Sequence, residues 1–275
     1  VYEIIERQKE EMPFKIGAAL EVVKVLVRNK AKYADRIPAE KLTDVWEDVI
    51  GDDSIDIVVE VMGGIEPART YIKAALEKGK HVVTANKDLM AMHGHELLEL
   101  AGENYLIDRG MEQGVDIYEN IPLPVAAKDV SAVFLTHAHI DHAGLLPQLY
   151  KDGFRGKIYA TPATCSLADV MLRDSANIQE SEAAWKTRKA ERAGEPPVEP
   201  LYTVDDAKGA AACFRPCRYG ECVTIADGLR VRFSDIGHLL GSACIEFWLR
   251  EDGTEKKIVF SGDVGNIDQP ILNDP

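Results

Sequence analysis

The chain has 275 residues, 46% of them apolar, and a formal net charge of −14 at neutral pH, enough to bury two modest cores or one large one. That acidity argues against a nucleic-acid binder working through a broad basic surface, because phosphate contacts need clustered Lys and Arg. No apolar stretch approaches a membrane span; the five cysteines (Cys165, Cys213, Cys217, Cys222, Cys244) leave one unpaired, and with no charged-then-apolar leader they point to a reducing cytoplasm.

Taken in chain order, residues 1–12 predict one amphipathic helix. Three strand-like runs follow, Glu21 to Arg28, Ile57 to Gly64 and His81 to Lys87, separated by helical segments. This is the βαβ rhythm of a parallel sheet. Pro67 stands where a first helical turn tolerates it, a helix is expected from Ala68 to Lys78, and Gly79 is placed to end it. Dinucleotide binding in such a unit rests on a first strand and a Gly-x-Gly-x-x-Gly turn, and the chain contains no such motif. Residues 100–104 form no Pro-, Ser- or Gly-rich linker, so whatever precedes and follows them meets abruptly.

The apolar run Val130 to Leu135 ends at Thr136-His137-Ala138-His139-Ile140-Asp141-His142, and Ala143 to Tyr150 then reads as a short apolar-faced helix. His137 and His139, two apart on an extended segment, leave it on the same side, while Asp141 and His142 can turn back toward a second ion. A polar loop of satisfied histidines is the bland alternative; four ligating residues within six positions argue against it. Ser175 to Ala193 predicts a helix whose mixed charges mark a solvated arm. Cys213, Cys217 and Cys222 lack Cys-x-x-Cys spacing and a fourth ligand, so they read as buried or incidental thiols.

Further on, Leu229 to Phe233 alternates like a half-buried strand and delivers Asp235-Ile236-Gly237-His238, making His238 a natural third imidazole. Ala243 to Leu249 alternates again, residues 251–254 turn the chain, and Lys257 to Phe260 ends at Ser261-Gly262-Asp263, where Asp263 is a candidate bridging carboxylate.

Together His-x-His-x-Asp-His (137–142), Asp-x-Gly-His-x-x-Gly-Ser-Ala (235–243) and Phe-Ser-Gly-Asp (260–263) resemble the metallo-beta-lactamase fold, over about residues 102–275. The segments 134–147, 159–164 and 260–266 resemble its RNA-processing beta-CASP branch, whose members include zinc-dependent ribonucleases. Leu106 to Gly110 resembles that branch's first motif, whose Asp, here Asp108, organises the metal loop. The resemblance implies that His137, His139 and His238 hold one zinc, that Asp141 and His142 contribute to a second, and that Asp263 bridges them. It also implies that a metal-activated water attacks phosphorus, with Asp141 orienting it. Against the branch's pattern, no histidine follows His238, the beta-CASP insert is missing after Pro275, and residues before Gly102 do not resemble the opening strands. A short-handed second site and impaired activity are therefore expected.

Residues 60–64, 82–87 and 93–97 resemble the nucleotide-binding domain of homoserine dehydrogenase, over about residues 1–101. This resemblance implies that Gly63, Gly64, Thr84, Asn86 and Lys87 border NAD(P), with Lys87 near the nicotinamide. Without the first strand and the glycine loop, hydride transfer is not expected. The fold class expected is α/β, a truncated metallo-beta-lactamase αββα sandwich preceded by a partial Rossmann-like parallel unit. The function expected is a zinc-dependent phosphodiesterase or ribonuclease acting on RNA or another phosphodiester. The alternatives are a homoserine dehydrogenase fragment or an inactive chimera. Uncovered sheet edges would favour homo-oligomers.

Overall fold

The computed structural model describes residues 1–84, 86, 103–111, 122–251 and 253–275. Two compact units are present, one of residues 1–58 and 70–81 and one of residues 59–69 and 82–275. Among the described residues, no helix is long and apolar enough to cross a membrane.

The smaller unit opens on α1 (Tyr2–Gln8) and α2 (Met12–Ile16). The single helix expected over residues 1–12 is thus broken. Pro13 lacks an N–H and is tolerated only in a first turn, so a new helix must start just before it. The long strand expected over 21–28 also shrinks, to β1 (Val25–Leu26), which pairs in parallel with β2 (Leu42–Thr43). A two-residue partner leaves the rest of the run without a ladder. Trp46 stacks on Tyr71 with ring centroids 4.2 Å apart, and the buried Lys80 is satisfied by the carbonyls of Asp52 and Ile55 at 2.7 and 2.8 Å. The helix α3 (Ala68–Glu77), which belongs to this unit from Thr70 on, buries Ile72, Ala75 and Leu76, and Gly79, at φ +75°, follows it as expected.

The larger unit holds two sheets. One runs in the order β3 (Ile57–Glu60), β4 (His81–Thr84), β12 (Thr254–Phe260), β11 (Ala243–Glu251), β10 (Leu229–Asp235) and β9 (Cys222–Ala226), and Val59, Glu60 and Val82 to Thr84 are the parts of its first two strands that belong here. Strands β9 to β12 are antiparallel neighbours, whereas β12 pairs in parallel with β4, Ile258 opposite Val82. The other sheet, β5 (Asn104–Ile107), β6 (Val130–Phe134), β7 (Lys157–Ala160) and β8 (Phe214–Pro216), is parallel throughout.

Alternation along the strands decides which faces meet. Val231 and Phe233 on β10 and Ile245 and Phe247 on β11 are buried, while Arg230, Arg232 and Trp248 point the other way. Phe134 of β6 stacks on Tyr159 at 5.4 Å and meets Phe247 edge-on at 4.9 Å, so the two sheets pack face to face through aromatic contacts. Helices α4 (Ile140–Ala143), α5 (Leu146–Lys151), α6 (Pro162–Ala193) and α7 (Val204–Ala212) follow, and Leu146, Leu149, Ala168, Leu172, Ala176, Ala207 and Ala210 join one buried cluster with Val133 and Ile158 of the parallel sheet. The expected α/β class with parallel sheet units is the one observed.

Two helical expectations change. Ala143 to Tyr150 is not one helix, because the Leu145 N–H is taken by the carbonyl of Arg109 at 2.9 Å and Pro147 can only begin a new turn. The arm expected from Ser175 begins at Pro162 instead. Thr161 caps it, accepting from the Thr164 N–H at 3.2 Å, and Pro162 takes the first turn, where its missing N–H costs nothing.

Candidate metal centre

The histidine loop leaves the end of β6 and is fixed from below. Asp108 follows β5 in the left-handed region at φ +59°, and its carboxylate accepts from the Thr136 N–H at 2.7 Å and the Thr136 hydroxyl at 2.8 Å. Its Oδ2 also lies 2.6 Å from Nδ1 of the buried His142. The neighbouring backbone passes close under the loop: Arg109 N–H donates to the carbonyl of His142 at 2.7 Å and Met111 N–H to that of Ile140 at 2.9 Å. Gly110 is required there, since a Cβ would sit 1.6 Å from the Asp141 carbonyl oxygen.

The loop after β10 brings in His238. Gly237 turns it at φ +65°, with the Asp235 carboxylate accepting its N–H at 3.0 Å. Ser242 Oγ accepts the N–H groups of His238 and Leu239 at 3.1 and 3.2 Å. From the start of α6, the hydroxyls of Thr161 and Thr164 both donate to the Gly241 carbonyl, at 2.6 and 2.8 Å, and Tyr219, after β8, donates to that of Ser242 at 2.7 Å. Asp263 arrives from the loop after β12, where Gly262 at φ +59° packs against Thr136.

These elements converge. His137 Nε2 lies 3.1 Å from His139 Nδ1, which lies 3.2 Å from His238 Nε2. Asp263 Oδ2 stands 4.0 Å from His137 Nε2 and 3.7 Å from His238 Nε2, and its other oxygen stands 3.4 Å from His142 Nε2. Asp141 Oδ2 is 3.8 Å from that same nitrogen. Two groups of ligand atoms result, each within 4.8 Å: His137, His139, His238 and Asp263, and Asp141, His142 and Asp263. Asp263 belongs to both.

The donor set fits divalent ions. Tetrahedral ligands about 2.0–2.1 Å from a metal lie roughly 3.3 Å from one another, close to the nitrogen spacings here. His142 Nε2 is buried and has no hydrogen-bond partner, an arrangement that costs stability unless something else occupies its lone pair. Burial, reinforced by the imidazoles of His142, His139 and His238 and opposed by Asp263, takes the His137 pKa down to about 2. The ring is therefore neutral at physiological pH, which is the ligating form.

All six residues expected to ligate are brought together, and Asp108 lies behind them. Thr161, Thr164, Tyr219 and Ser242 carry no ligand chemistry and went unassigned from sequence. Thr161, Thr164 and Ser242 do lie in motif segments 159–164 and 235–243, and the Thr161-Pro162 pattern marks a helix cap. No cysteine joins a ligand cluster among the described residues.

The ends of β3 and β4 form a second cluster. The buried Glu60 accepts from Met62 N–H at 2.6 Å and from the Thr84 hydroxyl at 2.7 Å. Asn86 N–H donates to the Thr84 hydroxyl at 3.1 Å, and its amide donates to the Gly64 carbonyl at 2.6 Å. Gly63 and Gly64 have φ values of +69° and +74°, with open space where a Cβ would be. Gly63, Gly64, Thr84 and Asn86 thus lie together; Lys87 falls outside the described residues.

Comparison with known proteins matches both halves. Residues 1–107 match the NAD-binding domain family of homoserine dehydrogenase, and residues 97–209 match the metallo-beta-lactamase superfamily. Ribonuclease TTHA0252 of Thermus thermophilus is 36% identical over 180 residues, covering 65% of this chain and 36% of that protein. Transcription termination factor FttA of Methanosarcina mazei is 33% identical over 171 residues, covering 61% and 24% respectively. Homoserine dehydrogenase of Bacillus subtilis is 42% identical over 119 residues, covering 43% and 25%. The chain therefore spans 24% to 36% of the length of these relatives. Both resemblances read from the motifs are the ones found.

Proposed function

We propose that the chain is a zinc-dependent metallohydrolase of the phosphodiesterase type, with RNA as its substrate class. The observation that carries this reading is the convergence of two ligand groups on a shared Asp263, with the buried His142 Nε2 facing the carboxylates of Asp141 and Asp263 and making no hydrogen bond. Similarity to a ribonuclease and to a transcription termination factor supports the choice of substrate. His137, His139 and His238 would hold one ion and Asp141 and His142 a second, with Asp263 available to both groups. Such ions, when bound, supply an activated water and neutralise charge developing on phosphoryl oxygens. Asp108 holds His142 through Nδ1 and so fixes the ring with Nε2 turned toward Asp263 and Asp141. Asp141, whose side chain is half exposed, orients the attacking water and accepts its proton. The second group supplies three residues against four in the first, so it would hold an ion more weakly, and added metal should raise turnover.

The test is metal analysis of purified protein beside a His137→Ala/His139→Ala/His238→Ala triple variant, with turnover of RNA and of a small phosphodiester measured with and without zinc or manganese. Zinc retained by the parent and lost by the triple variant is the expected result. Equal metal content in both would sink the proposal.

A second reading rests on the hydrogen-bonded chain Glu60, Thr84, Asn86 and Gly64 beneath two open glycines. It makes residues 1–101 a homoserine-dehydrogenase-type NAD(P) site, with Lys87 near the nicotinamide and residues 102–275 a separate inheritance. A fluorescence titration with NADPH that shows no saturable change would remove it.

A further inference from the structure

The helix α6 buries Ala168, Leu172 and Ala176 along one face. On the opposite face Leu167, Val170, Ile178 and Trp185 are 38%, 65%, 53% and 58% exposed. At about 100° per residue, Leu167, Ile178 and Trp185 fall within roughly 20° of one another. They form a stripe, unlike the scattered single apolar residues of an ordinary surface. From Asp174 onward the stripe continues through Ile178, Ser181, Trp185, Arg188 and Arg192 at alternating steps of four and three, the spacing of a coiled-coil seam.

The charges on this seam are polarised. Asp174 lies at its N-terminal end and Arg188 and Arg192 at its C-terminal end, and among the described residues none of the three forms an ion pair within the chain, unlike the neighbouring Arg173 with Asp169 and Lys186 with Glu182. A seam acidic at one end and basic at the other complements itself only when a second copy runs antiparallel. Reversal sets Asp174 of each copy against Arg188 and Arg192 of the other, twice over. It also brings Ile178 and Trp185 of the two copies together around Ser181, whose small side chain lets the helix axes approach. A parallel pair would instead place like charges side by side.

We propose that the exposed face of α6 is a self-association surface, pairing antiparallel with the same face of a second copy of this chain. The test is molar mass by sedimentation equilibrium across protein concentration, with thermal unfolding confirming that each variant remains folded. The parent is expected to shift reversibly from one chain to two. Trp185→Ala should weaken association by about tenfold or more. Asp174→Arg alone and Arg188→Asp/Arg192→Asp alone should each weaken it, while all three substitutions combined restore it, since the charges are then exchanged rather than removed. A single-chain mass at every concentration overturns the proposal. So does a dimer indifferent to Trp185→Ala, which would place the contact at a sheet edge, and so does a combined variant no better than either charge reversal.

Discussion

At the scale of single residues, the ligands were legible because their chemistry is written in residue type at short spacing. His137, His139, Asp141 and His142 lie within six positions, His238 follows a strand that alternates clearly, and Asp263 follows the apolar run Ile258 to Phe260. What holds them was less legible. The Gly241 carbonyl meets Thr161 and Thr164 from 80 and 77 positions away, and no local pattern announces such a bond. Thr164 offers the cleaner test of its importance, since Thr161 also caps α6. Thr164→Val keeps the shape and removes only the hydroxyl, freeing the loop that carries His238. Losing a hydrogen bond that holds a ligand in place costs about 10–100-fold in metal affinity. Competition against a chromophoric chelator should show that loss in Thr164→Val and its recovery in Thr164→Ser; equal affinity in all three proteins would contradict it. Asp108→Asn should fall in the same range, because the carboxylate serves the Thr136 backbone, the Thr136 hydroxyl and His142 at once.

At the scale of elements, β10 and β11 were readable because each has one buried face and so alternates with period two. The run over residues 21–28 looked equally strand-like, but only Val25 and Leu26 found partners; propensity does not create a neighbour. On the outward face of β11, Glu246 is an unusual case, with a side chain only 8% exposed. Burial works against its charge, yet hydrogen bonds from Arg232, Lys257 and Ser234 prevail and bring its pKa down to about 2, from 4.5. The folded value lies below the unfolded one, so this stabilisation is fully present above about pH 4.5 and is lost as pH falls toward about 2. Arg232 and Lys257 are about one-third exposed, which screens the pairing. Glu246→Gln should therefore cost about 2 kcal/mol at neutral pH. Urea unfolding at about pH 7 and about pH 3 should show the gap between parent and variant narrowing at the lower pH. A gap of constant size would mean that the carboxylate charge contributes nothing.

At the scale of the whole molecule, the boundary between the two family matches, near residues 97–107, is not a boundary in the hydrogen-bond ladder. Sequence reading assigned His81 to Thr84 to a parallel sheet of its own, because its βαβ rhythm is locally complete. Which strand lies beside it is a tertiary matter, and β4 pairs with β12, Val82 to Ile258, Val83 to Val259 and Thr84 to Phe260. Three residues beyond Phe260 stands Asp263, the carboxylate shared by both ligand groups. A strand from the homoserine-dehydrogenase-like segment therefore closes the edge of the strand that delivers a candidate metal ligand, and an edge left open would be prone to fraying and association. Val82 is fully buried, so Val82→Asp places an unpaired charge in that ladder and should cost about 3 kcal/mol or more. The consequence reaches further than stability. Zinc bound only by the folded state raises the unfolding temperature in proportion to its affinity, so Val82→Asp should also shrink the zinc-induced shift seen by calorimetry. If residues 1–101 and 102–275 folded as separate bodies, the substitution would lower one transition and leave the zinc-dependent one where it was.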